Sequence, residues 1–165
     1  MDVGTRLLSE ALIKKHHPHL RYVRIHTSGK NAVVIYAWNE NLELPEADRL
    51  ALRRFAAGYL PPYLCCQVKP YSMVREDGVP SEPEVPDSVR EAAMNRNLDQ
   101  RAILTLINGM FTGGEMSFDH YDGGTGTIYF RVRSGGKVTD VERELIRQYL
   151  YEVVPIGSYY EVAYS

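Results

Sequence analysis

The sequence predicts an α+β fold made from two copies of an α-β-β-α-β unit. Each copy is expected to be a small three-stranded sheet with helices on one face, and the two to pack with pseudo-twofold symmetry. Three observations predict this. The chain matches itself at an offset of 94 residues without a gap, 7–71 falling on 101–165. Helical and strand hydrophobic periods follow one another in the same order in both halves. The composition, 44% hydrophobic and 24% charged over 165 residues, is that of a globular chain with room for one medium domain or two small ones.

The internal match rests on eight identical pairs: Leu12/Leu106, Ile13/Ile107, His26/His120, Gly29/Gly123, Arg49/Arg143, Arg53/Arg147, Pro61/Pro155 and Val68/Val162. Pairs such as Tyr36/Phe130, Leu52/Ile146 and Asp48/Glu142 keep size or charge. Residues 1–72 form the first copy, 97–165 the second, and 73–96 an acidic, proline-rich linker with a short helix from Asp87 to Met94.

The first helix of each copy is expected at 3–17 and 97–111. Leu7, Leu8, Ala11 and Leu12 recur at helical spacing, as do Ala102, Ile103, Leu106 and Ile107. Pro18 stops the first, because a proline disfavours helix in the residue before it. Gly113-Gly114 is expected to cap the second. A hairpin follows, 21–27 with 31–38 and 117–121 with 126–133, turning at Ser28-Gly29-Lys30 and Asp122-Gly123-Gly124. The second helix is expected at 45–58 and 139–152. Pro45 suits a first turn, and Thr139 with Glu142 has capping-box spacing. Ala47, Ala51, Phe55 and Tyr59 make one apolar stripe, repeated by Val141, Leu145, Tyr149 and Val153. Strands at 64–70 and 159–164 close the copies.

Charge is uneven. Residues 1–72 carry net +4, whereas 73–96 and 97–165 carry −3 each, within a total of −2. A basic copy beside an acidic one favours mutual docking. No apolar run is long enough to span a membrane, and the start does not read as a signal peptide. Cys65 and Cys66 are adjacent and expected to be free thiols, which points to a reducing, cytoplasmic setting.

The second hairpin strand of copy one is apolar on both sides, with Val33, Ile35 and Ala37 alternating with Val34, Tyr36 and Trp38. One side should pack on the helices, so the other needs a cover, from copy two or another chain. Val33, Ile35 and Ala37, with Tyr159, are the interface candidates. His26 and His120 hold matched positions and could flank one pocket, with Asp119, Tyr121 and Asp122 beside the second. His16, His17 and His19 read as a polar helix end rather than a ligand set. Lys14, Lys15, Arg21, Arg24 and Lys30 lie in a stretch without acidic residues, with Tyr22 interleaved, and are the anion-contact candidates. No phosphate-loop, metalloprotease or hydrolase signature accompanies them.

The α-β-β-α-β string resembles the ring-building modules of secretion and sporulation assemblies, and it is similar to the cytoplasmic domain of cation-efflux transporters. The resemblance is one of topology and covers each half. The expected function is a non-enzymatic binding or assembly module that acts through the sheet face and the cleft between the copies. A protein partner or self-association is expected, a small ligand is a further option, and neither nucleic acid, membrane, cofactor nor metal is expected. The alternative is a metal-binding protein or enzyme centred on His26 and His120. A third option is RNA or phosphate binding through 14–30.

Overall fold

Three of the six described helices begin where a side chain satisfies a first-turn backbone N–H. In the computed structural model, which describes residues 4–60, 64–80, 84–95 and 98–165, α1 (Arg6–His16) starts at Thr5, whose hydroxyl accepts the Leu8 N–H at 3.2 Å. There follow β1 (Leu20–Gly29), β2 (Ala32–Asn39), α2 (Glu46–Tyr59) and β3 (Cys65–Pro70). The linker carries α3 (Met73–Glu76) and α4 (Asp87–Ala93). The second half repeats the first order as α5 (Gln100–Met110), β4 (Glu115–Asp122), β5 (Thr127–Arg133), α6 (Asp140–Val153) and β6 (Tyr159–Tyr164). Asp99 caps α5 through the Ala102 N–H at 2.8 Å, the position matching Thr5. Thr139 and Glu142 complete the expected capping box on α6.

The chain is thus α+β with two three-stranded sheets, ordered β1-β2-β3 and β4-β5-β6. In each, the hairpin is antiparallel and the last strand adds parallel to the middle one, as a helical crossover requires. The first helices run over 6–16 and 100–110, inside the expected limits. Residues 1–3, 61–63, 81–83 and 96–97, among them Pro61 of the Pro61/Pro155 pair, lie outside the described residues. Gly113-Gly114 does not cap α5, which ends at an extended Phe111. Gly114 instead allows close approach to β5, since a Cβ there would sit 3.0 Å from Val132 and Ser134.

Two cores result. Ile13, Leu20, Val23, Ile25, Leu52 and Ala56 pack in the first, and Ile103, Ile107, Phe130, Ile146 and Leu150 in the second. Helix α4 belongs to the second core through Val89 and Ala93. Val33, Ile35 and Ala37 lie in the first core, facing the helices. This corrects their reading as interface residues, because packing under α1 and α2 leaves them no surface. The opposite side, with Val34 and Tyr36 buried, is covered, but not by copy two or another chain as expected. The cover is the linker: the Tyr36 hydroxyl donates to Asp77 at 2.7 Å, Lys69 reaches the same carboxylate at 3.0 Å, and Arg24 donates to the Pro80 carbonyl.

The halves are joined by buried polar contacts. Arg6 on α1 binds Glu10 at 2.7 Å and both oxygens of Glu152 on α6 at 2.8 Å. All three side chains are buried, and Glu152 is wholly so. Nearby, Thr5 donates to the Ala93 carbonyl, Ile156 N–H to the Gly4 carbonyl, and Asn31 N–H to the Gly157 carbonyl. Gly157 has φ +81° and meets Leu64 so closely that a Cβ would lie 2.7 Å from it, so glycine is required there.

Candidate functional site

A groove of about 530 Å³ opens where the halves meet. One wall is a stripe of α6, namely Arg143, Glu144, Arg147 and Tyr151. The other is β6, and the end is closed by Ile25, His26 and Thr27 of β1. Tyrosine dominates the lining because both α6 and β6 carry it. The Arg143 guanidinium lies 4.4 Å from the centre of the Tyr164 ring. Burial pushes the Tyr160 phenol up to about 12, so it stays protonated and donates to the Arg147 carbonyl at 2.8 Å. Arg147 itself pairs with Glu144. The lining therefore offers rigid aromatic bodies with polar tips and a mixed charge, which suits a protein surface better than a reacting substrate.

Strand β6 contributes backbone as well. The Tyr159 N–H donates to Gly126 and the Ser165 N–H to Val132, both on the β5 side. By strand alternation, Tyr160, Val162 and Tyr164 present their N–H and C=O groups to the outer edge.

His26 lines this groove, with Nδ1 3.3 Å from the Tyr151 hydroxyl. Burial, then the nearby Arg24 and Arg6 charges, holds its imidazole below the ordinary value. His120 is elsewhere, on the open face of the second sheet, stacked on Tyr129 at 4.4 Å and 3.2 Å from Asp119. The two histidines therefore do not line one pocket. Their matched sequence positions sit in hairpins that face different surroundings. Tyr121 borders a second cavity of about 650 Å³, between Gly4, Asp99 and Phe118. Asp122 is used in its own turn, accepting the Gly124 N–H at 2.8 Å, and that bond holds its carboxyl below the usual range. Among the described residues no cluster of histidine, cysteine and carboxylate side chains has the arrangement of a metal site.

The basic candidates also divide. Lys14, Lys15, Arg21 and Lys30 are exposed, whereas Arg24 is buried and bonded to the linker. His16, His17 and His19 are a helix end, as expected. His16 bridges the Leu12 carbonyl and the Tyr59 hydroxyl, and His19 pairs with Asp48 at 2.7 Å. Tyr159 is exposed at the groove's rim. Cys65 and Cys66 are free thiols, and burial pushes Cys66 up to about 11, which leaves it inert.

Sequence reasoning singled out His26 and Tyr159 of the groove but missed the α6 residues that build its wall. Arg143 and Arg147 stood out only as members of identical pairs with Arg49 and Arg53. Arg6 and Glu10 have i, i+4 spacing, but nothing local marks Glu152 as their third member.

No family model matches the chain, and no curated protein does. Among solved structures it is similar to the periplasmic domain of the T3SS inner membrane protein PrgH from S. typhimurium. For the fragment 170-392 the identity is 14%, covering 95% of this chain and 68% of that one, with a TM-score of 0.31. For the fragment 170-362 it is 14%, covering 97% and 69%, with a TM-score of 0.33. The expected cytoplasmic setting is corrected here, since these matching chains are by their titles periplasmic domains. No helix among the described residues is long and apolar enough to cross a membrane.

Proposed function

We propose that the chain is a non-enzymatic binding or assembly module, formed by duplication of an α-β-β-α-β unit, whose contact surface is the groove between α6, β6 and the end of β1. One observation carries this reading: the groove is lined by tyrosines and by an open strand edge, and ionisable side chains in it are engaged with one another, His26 with Tyr151 and Glu144 with Arg147. Such a lining offers area and directional backbone groups, which recognise another polypeptide. The matching positions of the elements, 94 residues apart to within one residue, support the duplication.

A photo-crosslinking amino acid at Tyr159, 41% exposed, tests the reading against the same residue placed at Leu50, 40% exposed and remote from the groove. A discrete protein adduct from position 159 and none from position 50 is expected in the native cell. Equal adducts from both, or none from 159, would remove the groove as a contact surface.

A further inference from the structure

The two sheets have four edge strands, and the sequence treats one of them differently. An exposed edge pairs with any available strand unless something blocks it. On β1, the outward N–H of Ile25 is taken by the buried Glu10 carboxylate at 3.1 Å. On β4, the Asn108 amide takes both backbone groups of Met116, accepting its N–H at 2.7 Å and donating to its C=O at 3.0 Å. Strand β3 carries Lys69 and ends in Pro70, two residues that discourage pairing. Strand β6 has neither lysine nor proline, and no side chain among the described residues bonds the outward groups of Tyr160, Val162 and Tyr164. Its single charge, Glu161, lies on the open face of the sheet.

The segment is also palindromic in type. Tyr160-Glu161-Val162-Ala163-Tyr164 reads Tyr-x-Val-x-Tyr from either end. We propose that the β6 edge pairs antiparallel with the β6 edge of a second copy of this chain, about a twofold axis through Val162. This rests on the groove being a protein-contact surface and names its partner. In that register Val162 faces Val162 of the second copy, and Tyr160 faces Tyr164 of the second copy. These three positions carry the outward backbone groups, so the hydrogen-bonding pairs coincide on both chains. Aromatic residues then stand opposite each other on the helix side. Glu161 faces Ala163 of the second copy, which keeps like charges from standing directly opposite. The two sheets become one of six strands, the symmetric closure that leaves neither β6 edge open.

Light scattering coupled to size-exclusion, with sedimentation to obtain the dimer Kd, tests this on the whole protein. Ala163 is exposed, so charges there leave the core intact. Ala163→Glu sets two Glu–Glu pairs opposite each other and should weaken the dimer by about 2-fold to 30-fold. Ala163→Lys sets two Lys–Glu pairs and should tighten it. Adding Glu161→Lys to Ala163→Glu again sets two Lys–Glu pairs and should return the affinity to wild type or tighter, and unchanged thermal melts show that each variant is folded. A single-copy mass at all concentrations, or the same Kd for all variants, overturns the pairing. Its failure is separable from that of the groove: a crosslink at Tyr159 to a different protein would leave the groove a contact surface while removing self-pairing.

Discussion

His26 is half-buried against Tyr151, with the Arg24 and Arg6 charges near it, and the fold therefore disfavours its protonated form. Its folded value lies below the ordinary 6.5, so between the two the unfolded chain binds more protons. Stability must then fall as pH drops below about 6.5. His17 shifts the same way, through burial and then the neighbouring His19 and His16, and adds the same sign. The urea midpoint should be lower at pH 5 than at pH 8, and the drop should shrink in His26→Asn. An equal drop in that variant would assign the acid sensitivity to other groups. The position of His26 was legible as one of a matched pair. Its surroundings were not, because Tyr151 lies 125 residues away in sequence.

At the scale of elements, the helices and strands were readable because their signals are local. The α6 capping box lies within residues 139–142, although the buried face of the helix runs through Ile146, Tyr149, Leu150 and Val153 and leaves Val141 of the expected stripe exposed. Helix α3 was not readable, since four residues are too few to show a period. Yet α3 and the turn after it decide what happens to the first sheet, by holding Tyr36, Lys69 and Arg24 under the linker. Tyr36→Phe removes the bond to Asp77 and should cost about 0.5–1.5 kcal/mol. Hydrogen exchange should quicken over residues 73–80 and stay unchanged in α6. Protection that is the same in both would show that the linker is held without this bond. The second sheet has no such cover, and its open face carries the polar, alternating pattern of a half-exposed sheet, with His120, Arg131 and Glu161 on it.

For the whole molecule, the joint between the halves is a buried ionic knot. Arg6 is clamped by Glu10 from its own helix and by both oxygens of Glu152 from the other half. Such a pair adds little over an apolar replacement, but breaking it leaves a charge stranded in the interior. Arg6→Ala, which takes the cation from between Glu10 and Glu152, should therefore cost about 3–5 kcal/mol in chemical unfolding. A loss under about 1 kcal/mol would mean that the interface tolerates the two carboxylates without their arginine. The expected docking of a basic half on an acidic one is here a few specific groups rather than a general attraction, and Thr5, Gly4, Asn31 and Gly157 add neutral hydrogen bonds around them.

The sequence by itself determined the class of fold, the repeated order of elements, their limits to within a few residues, and the polar role of the three-histidine helix end. These follow from periodicity, caps and turn residues, which act over a few positions. Only the tertiary structure decided that His26 and His120 face different surroundings, that the linker covers one sheet, and that no side chain among the described residues closes the β6 edge. Each of those depends on which distant groups meet. A buried carboxylate or amide can close a strand edge from another element, and no local pattern records where it will land.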